Sequence, residues 1–379
     1  MEDLQSGDSS GSNRRISVFI PVYRDSDLLE ELLEGLVNDS YQNREIFVII
    51  DEPTADAYRV IERFRDKVHF ILNDCRRGKV EALNEAVRAS SGEILVFLDA
   101  DVRLGECRNF LRTIALEMDG TDILDIKKKI IKDSFLSRMV YYEFVGSNFS
   151  SFLYSKLVQK CFAVGGMAFA IKRETFEEVD GFAKVASEDF DLAARAFFRN
   201  KRFKFTSKAE VYTKAPSKWR SWLAQRKRWG IGTGLWIKTH GGKVVRYIVR
   251  YPYIAFPCFL MLFPTVALML FNHICSLFPD VQLFNLIPRA LASQLNLTNV
   301  PMLPPSITSI LFTTLTNFFL GFIMFSIIFY TASRKLKFRF SFAEFIAYYF
   351  FYQPISFLVL FAGIIAGIFF KDHKIDWKL

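Results

Sequence analysis

Hydrophobic and polar positions follow two different rhythms along this chain. Through residue 215, short β-branched apolar runs closed by turn residues alternate with longer amphipathic stretches. Ile16 to Tyr23 reads as a strand, Ser26 to Val37 as a helix, Glu45 to Asp51 as a strand and Ala55 to Arg65 as a helix. Val68 to Leu72, Gly78 to Ser90 and Glu93 to Asp99 continue the series as strand, helix and buried strand. This alternation predicts an α/β domain over 15–215: a Rossmann-like, doubly wound, mostly parallel sheet with helices on both faces. Ligands of such sheets gather beyond the carboxyl ends of the strands, where Asp51, Asp99 and Asp101 stand.

After residue 215 the rhythm changes. Residues 216–247 are basic and rich in tryptophan, and 251–279, 290–333 and 345–370 contain no Asp, Glu, Lys or Arg. Each uncharged run exceeds the roughly 20 residues that cross a bilayer, which predicts three spans near 252–278, 306–332 and 344–370 within a membrane region over 248–371. Composition agrees. The 379 residues are 51% hydrophobic yet 23% charged, and the mean hydropathy is +0.17, values that suit neither a purely soluble nor a purely embedded protein. Residues 1–14, Ser/Gly-rich without an apolar core, read as a disordered tail, and 372–379 as a second tail.

Charge sets an orientation. Lys238, Lys243, Arg246 and Arg250 precede the first span, and Arg334, Lys335, Lys337 and Arg339 fill the link between the second and third. The loop between the first two holds only Asp280 and Arg289. By the positive-inside rule the N-terminal domain of this integral plasma-membrane protein faces the cytoplasm. The 280–305 loop, with the sequon Asn296-Leu297-Thr298, then faces outward. A net charge of +9 beside a bilayer points to anionic headgroups and not to nucleic acid. The five cysteines show no CxxC spacing and the four histidines no HExxH pair, so neither a disulfide framework nor a zinc site is indicated.

Several reaction classes drop out. Gly78-Lys79 looks like the end of a phosphate loop, but Asn73 replaces the earlier glycine and Val80 the Ser/Thr that would hold magnesium. No GxGxxG follows the first strand, and no GxSxG follows a strand as a nucleophile elbow would. What remains is acidic. Asp99-Ala100-Asp101 closes a buried run and, with a diphosphate, could complete a Mg²⁺ or Mn²⁺ site; alone, such a pair is more often a solvated strand-end turn. Ser187-Glu188-Asp189 opens a helix, where acids suit the helix dipole and could equally supply a general base.

Gln225-Arg226-Lys227-Arg228-Trp229 lies in a segment where Trp222, Trp229 and Trp236 recur every seven residues. That spacing predicts one tryptophan face turned to lipid on an interfacial helix, which Gly230, Gly232 and Gly234 should fray just after the motif. Phe135 to Leu157 carries aromatics at mixed helical spacing. Core packing and lipid contact through Phe149 and Phe152 are both open for it.

In their order and spacing, Pro21-Val22-Tyr23, Asp51, Lys79, Asp99-Ala100-Asp101, Glu188-Asp189 and Gln225-x-x-Arg228-Trp229 resemble family 2 glycosyltransferases. The last two motifs look like the cellulose synthase and hyaluronan synthase branch, and the compact layout resembles minimal archaeal mannosyltransferases of that branch. The resemblance covers residues 15–235 and implies a GT-A fold. It further implies that Asp51 meets the nucleobase near Pro21 and Tyr23, with Lys79 beside the nucleotide. Asp99 would serve the ribose or metal, Asp101 would ligate the metal, and Asp189, next to Glu188, would be the general base. Arg228 would bind the diphosphate, while Gln225 and Trp229 would shape the donor and acceptor pocket. Glu52-Pro53 after Asp51 and Gly165-Gly166-Met167 before the acceptor site depart from the usual family pattern.

The expected reaction is an inverting, metal-dependent transfer from a GDP- or UDP-sugar, GDP-mannose leading, to a hydroxyl of a lipid-linked saccharide. An anionic polyprenyl-phosphate acceptor would need no base. Three spans poorly enclose a polymer channel, so a processive synthase and a polyprenyl-phosphate transferase stand as alternatives. The sequence leaves the oligomeric state open.

Overall fold

A computed structural model describes residues 14–105, 109–254 and 305–369. The expected N-terminal tail up to residue 13, nearly all of the first span, the outer loop with its sequon and the C-terminal tail lie outside these residues. Strands β1 (Ile16–Tyr23), β2 (Arg44–Asp51), β3 (His69–Asn73) and β4 (Ile94–Leu98) alternate with helices α1 (Leu29–Val37), α2 (Ala55–Phe64) and α3 (Lys79–Arg88). After β5 (Val102–Leu104) come α4 (Phe110–Glu117), β6 (Ile123–Ile131), α5 (Phe135–Leu153), β7 (Ala168–Lys172) and α6 (Arg173–Glu178). Next are α7 (Glu188–Phe198), β8 (Phe203–Lys214), α8 (Trp219–Arg250) and α9 (Pro305–Lys335). The last helix, α10 (Phe342–Phe369), carries a π-helical turn at Tyr348–Tyr352.

The eight strands form one sheet in the order β3-β2-β1-β4-β7-β6-β8-β5. Its first four strands are parallel, as the alternation predicts. The second half is mixed. β7 runs antiparallel to both β4 and β6, and β5 antiparallel to β8. An apolar run encodes burial and not direction. Direction is set where the chain re-enters the sheet, and β7 enters at the carboxyl end of β4, with Ala168 opposite Leu98. The residues just before β7 are thereby carried to the functional edge, and the amide of Asp99 donates to the carbonyl of Met167 at 2.9 Å.

Each face of the sheet carries a core because strand side chains alternate with period two. Phe19, Phe47, Phe97 and Phe169 lie abreast on neighbouring strands and stack in one row, with ring centroids 5.1–5.5 Å apart. This core continues through α5 into the buried faces of α9 and α10. The opposite face is closed by Leu29, Leu32, Leu33 and Leu36 of α1 and by Phe110 and Ile114 of α4. Helix α5 belongs to the protein interior. Met139, Tyr142 and Val145 are buried, and Phe149 and Phe152 stack on each other, partly covered by the core. The link between α9 and α10 is fastened to it. The Tyr141 hydroxyl donates to the Arg339 carbonyl (3.1 Å) and accepts its amide (2.8 Å), and the Tyr142 hydroxyl holds Ser341 in the same way at 2.9 Å each.

Helix α8 departs from expectation twice. It is continuous through Gly230, Gly232 and Gly234, because these glycines serve close approach and not fraying. A Cβ on Gly230 would sit 2.9 Å from Cα of Gly363, and Gly234 meets Gly367 likewise, so two Gly-x-x-x-Gly faces lock α8 to α10. Nor do the three evenly spaced tryptophans share a lipid face. Trp222 is 1% exposed and donates from Nε1 to the Tyr352 hydroxyl, and Trp236 donates to the Phe190 carbonyl, so Trp229 is the exposed member of the three. Their indole N–H groups found partners inside the protein, which outweighs the pull of an interface.

The ranges expected for the second and third spans are helical, as α9 and α10, but among the described residues α10 alone meets the length and hydropathy of a span, so a three-helix membrane region is not shown. Helix α10 is long and apolar enough to cross a membrane. Phe351, Ile355, Leu358 and Phe361 project from it exposed, as do Ile323 and Ile327 from α9.

Candidate active site

The carboxyl ends of β1 and β4, the start of α3 and the start of α7 meet at one cleft, lined by Pro21, Lys79, Asp99, Gly166, Glu188 and Asp189. Its framework begins with Asp51. This buried carboxylate accepts Nδ2 of Asn73 at 2.9 Å and the amide of Gly78 at 2.8 Å, tying the ends of β2 and β3 to the turn before α3. Gly78 adopts a φ of +91°, which a side chain resists. The turn delivers Lys79 as the first residue of α3.

Lys79 bridges two acids. Its ammonium lies 2.8 Å from Oδ1 of Asp99 and 3.3 Å from Oε1 of Glu188. Burial works against its charge, but Asp99, Glu188 and Asp189 together outweigh burial and hold the lysine protonated well above its ordinary range. Asp189 takes only backbone donors, Gly166 N–H at 2.7 Å and Phe190 N–H at 2.8 Å. Burial, with the neighbouring Glu188 charge second, pushes its carboxyl up to about 7. A carboxylate poised there suits proton abstraction near neutrality. A Cβ on Gly166 would fall 2.6 Å from Oδ2 of Asp189, so the loop reaches the carboxylate only as glycine.

Asp101, two residues beyond Asp99, does not line the cleft but lies near enough to feel the charges of Asp99 and Lys79. The confined strand end, and then the charge of Asp99, push its carboxyl up. A divalent cation would relieve that mutual repulsion, and two carboxylates plus diphosphate oxygens satisfy what Mg²⁺ or Mn²⁺ requires. Among the described residues no group of three or more His, Cys, Asp or Glu side chains could hold a metal by itself. The residues therefore fit a cation shared with a substrate.

Residues 17–178 match the sequence model of the family described as Glycosyl transferase family 2. This span, less than half of the chain, is what resembles the family. The chain is 24% identical over 237 residues to the probable glycosyltransferase YdaM of Bacillus subtilis, covering 58% of this chain and 55% of that protein. It is 25% identical over 193 residues to the amylovoran biosynthesis glycosyltransferase AmsB of Erwinia amylovora, covering 48% and 63%. It thus spans little more than half the length of these relatives. Among solved structures, the mannosyltransferase PcManGT from Pyrobaculum calidifontis, in complex with GDP-Man and Mn²⁺, superposes with a TM-score of 0.57 at 19% identity. The match covers 95% of this chain and 88% of that one, so the fold is GT-A-like.

The family match ends before Glu188. Geometry is what joins Glu188 and Asp189 to Lys79 and Asp99. Other expected site residues lie apart from the cleft. Tyr23 is 41% exposed, its ring covered by Arg76 at 4.1 Å and its hydroxyl 3.2 Å from Glu52. Gln225 and Trp229 gather on Arg226, and Arg228 is exposed on α8. Gly166, Arg226 and Glu143 escaped the sequence-based list. Glycine and a charged residue inside a helix carry no periodic signal of function.

Proposed function

We propose that this chain transfers a hexose from a nucleotide-diphosphate sugar to a hydroxyl of a lipid-linked saccharide at the cytoplasmic membrane face, with inversion. One observation carries the reading: Asp189, held by two backbone amides and raised to about 7, shares a cleft with the Lys79–Asp99 pair. In this reading Asp189 takes the acceptor's proton as the hydroxyl oxygen bonds to the anomeric carbon. The bond to the diphosphate breaks on the opposite face, so no covalent enzyme intermediate forms. Lys79 pairs with Glu188 and Asp99, while Asp189 is held by backbone amides. Asp99 and Asp101 would hold Mg²⁺ or Mn²⁺, which when bound supplies Lewis-acid stabilisation of the departing diphosphate.

Pro21, Tyr23 and Asp51 are assigned to the nucleoside. Each Asp51 oxygen keeps a second lone pair beyond its present bond. Arg228 is assigned to the diphosphate. It shares a face of α8 with Gly232, which packs on Ser187 just before Glu188. GDP-mannose is the leading donor, on the likeness to a mannosyltransferase bound to GDP-Man. The apolar exposed faces of α9 and α10 support the membrane placement, as does the uncharged stretch of α10 after Glu344. On these grounds the chain belongs with minimal synthases of the cellulose synthase-like branch.

A panel of GDP- and UDP-sugars tests this directly. Full-length protein in detergent should show a melting-temperature rise with one donor plus Mn²⁺, absent with EDTA, and should transfer its sugar to an alkyl glycoside. Absence of both stabilisation and transfer across the panel would refute the reading.

A further inference from the structure

Within the segment Gln225 to Trp229, Arg226 is fully buried, at 0% exposure. Arginine is rarely buried unless paired. Its Nη2 pairs with the Glu143 carboxylate of α5 and reaches the Tyr352 hydroxyl, in the π-helical turn of α10, at 3.2 Å. Its Nη1 donates to Oε1 of Gln225 at 2.8 Å. The guanidinium lies 4.3 Å from the ring centroid of Trp229 and 5.5 Å from that of Trp222. The partners of Arg226 are themselves held in place. Ser356 of α10 donates to the other Glu143 oxygen at 2.6 Å, and Trp222 donates to Tyr352 at 2.8 Å. Only Nε of Arg226 is buried without a partner.

Stability alone is a poor reason for this arrangement. Desolvating an ion pair costs about as much as its attraction returns, and apolar residues of equal volume usually serve a core as well or better. What apolar residues cannot do is fix an amide and a ring at once. A planar guanidinium presents donors in its plane to Gln225 and a flat face to Trp229. The same group is tied to the membrane-facing helix through Tyr352 and, by way of Glu143, Ser356.

We propose that Arg226 is a positioning residue for the acceptor end of the site, orienting Gln225 and Trp229 and referencing both to α10. This rests on the reading of Gln225 and Trp229 as pocket residues. The position of the acceptor pocket is thereby set by the helix that meets lipid, and not by the nucleotide-binding sheet.

The test uses full-length protein in detergent, with GDP-mannose, Mn²⁺ and octyl glycosides as acceptor probes, or the donor that the panel above identifies. Arg226→Lys keeps a charge beside Glu143 but loses the fork and the flat face. The double variant Arg226→Met with Glu143→Gln removes both charges together and restores a neutral core. Both should leave the donor KM near wild type and raise the acceptor KM between about ten- and a hundredfold. The melting temperature of the double variant should exceed that of Arg226→Met alone. A double variant of wild-type thermal stability and wild-type acceptor KM would overturn the proposal, making Arg226 a packed ion pair only. Equal loss of donor and acceptor affinity in a folded variant would also overturn it. Inactivity of the wild type itself would instead remove the functional reading beneath it, a result distinguishable because no substitution is involved.

Discussion

The amide of Gly166, just before β7, and Oδ2 of Asp189, in the first turn of α7, are 2.7 Å apart, although the two residues stand 23 positions apart in sequence. The contact exists because β7 is reversed and its entry loop sits at the carboxyl end of β4. Ala at 166 would press its methyl group on the carboxylate. Gly166→Ala should fold, retain donor binding and lose about a hundredfold in kcat, as expected for a displacement near 1 Å. Steady-state kinetics beside a donor-induced melting shift would check it.

A base must be ionised to work. With Asp189 raised to about 7, kcat/KM should climb about tenfold per pH unit below that value and level off above it. Asp189→Asn should erase this limb along with about 10²- to 10⁴-fold of the rate, while donor still binds. A pH–rate profile across pH 5 to 9 would decide, and full turnover by the asparagine variant on a hydroxyl acceptor would remove Asp189 from the role.

Among the described residues, Lys79 is the cation paired with both Asp99 and Glu188. In Lys79→Met the attraction that lowers the Asp189 carboxyl disappears while the Glu188 charge remains. The acid limb of the profile should therefore move to higher pH, and donor KM should rise. A limb moving to lower pH would contradict this electrostatic account.

Arg226 and Arg228 are two residues apart and should behave as opposites. Arg228 is exposed and Arg226 buried. Arg228→Ala should leave the melting temperature unchanged yet cost roughly 2–4 kcal/mol of transition-state stabilisation, comparable to losing one electrostatic donor. Arg226→Ala should lower the melting temperature. Differential scanning fluorimetry and kcat/KM on the same samples would separate them.

Close approach of α8 to α10 depends on hydrogen side chains. Gly363→Leu places branched carbons where Cα of Gly230 lies 2.9 Å from a single Cβ. Overpacking of this sort should destabilise by about 1–3 kcal/mol, read as a lowered unfolding temperature in detergent.

The parallel half of the sheet was legible because β1, β2 and β4 are continuous apolar runs ended by turn residues, and the observed β1 has the boundaries expected from its pattern. Lys79, Asp99, Glu188 and Asp189 could be picked out by motif order and do gather in one cleft. Strand direction was not legible, since the Ala168–Lys172 run looks the same read either way. The glycines of α8 misled for a related reason. Helix propensity counts what glycine costs alone, whereas Gly230 and Gly234 are compensated by a second helix distant in sequence. Trp222 and Trp236 likewise had the spacing of an interfacial face, but Tyr352 and Phe190 captured their N–H groups. Pairing across the fold decided each of these, and no local window contains both partners.

The bracketing of Arg339 and Ser341 by the hydroxyls of Tyr141 and Tyr142 acts as a pair of two-pronged clips, each prong a backbone group. Clipped in this way to the hairpin of α9 and α10, the α/β domain cannot pitch against those helices. Under the membrane placement proposed above, its cleft would stay at one altitude, and acceptors would be sorted by how far above the lipid their reactive hydroxyl stands.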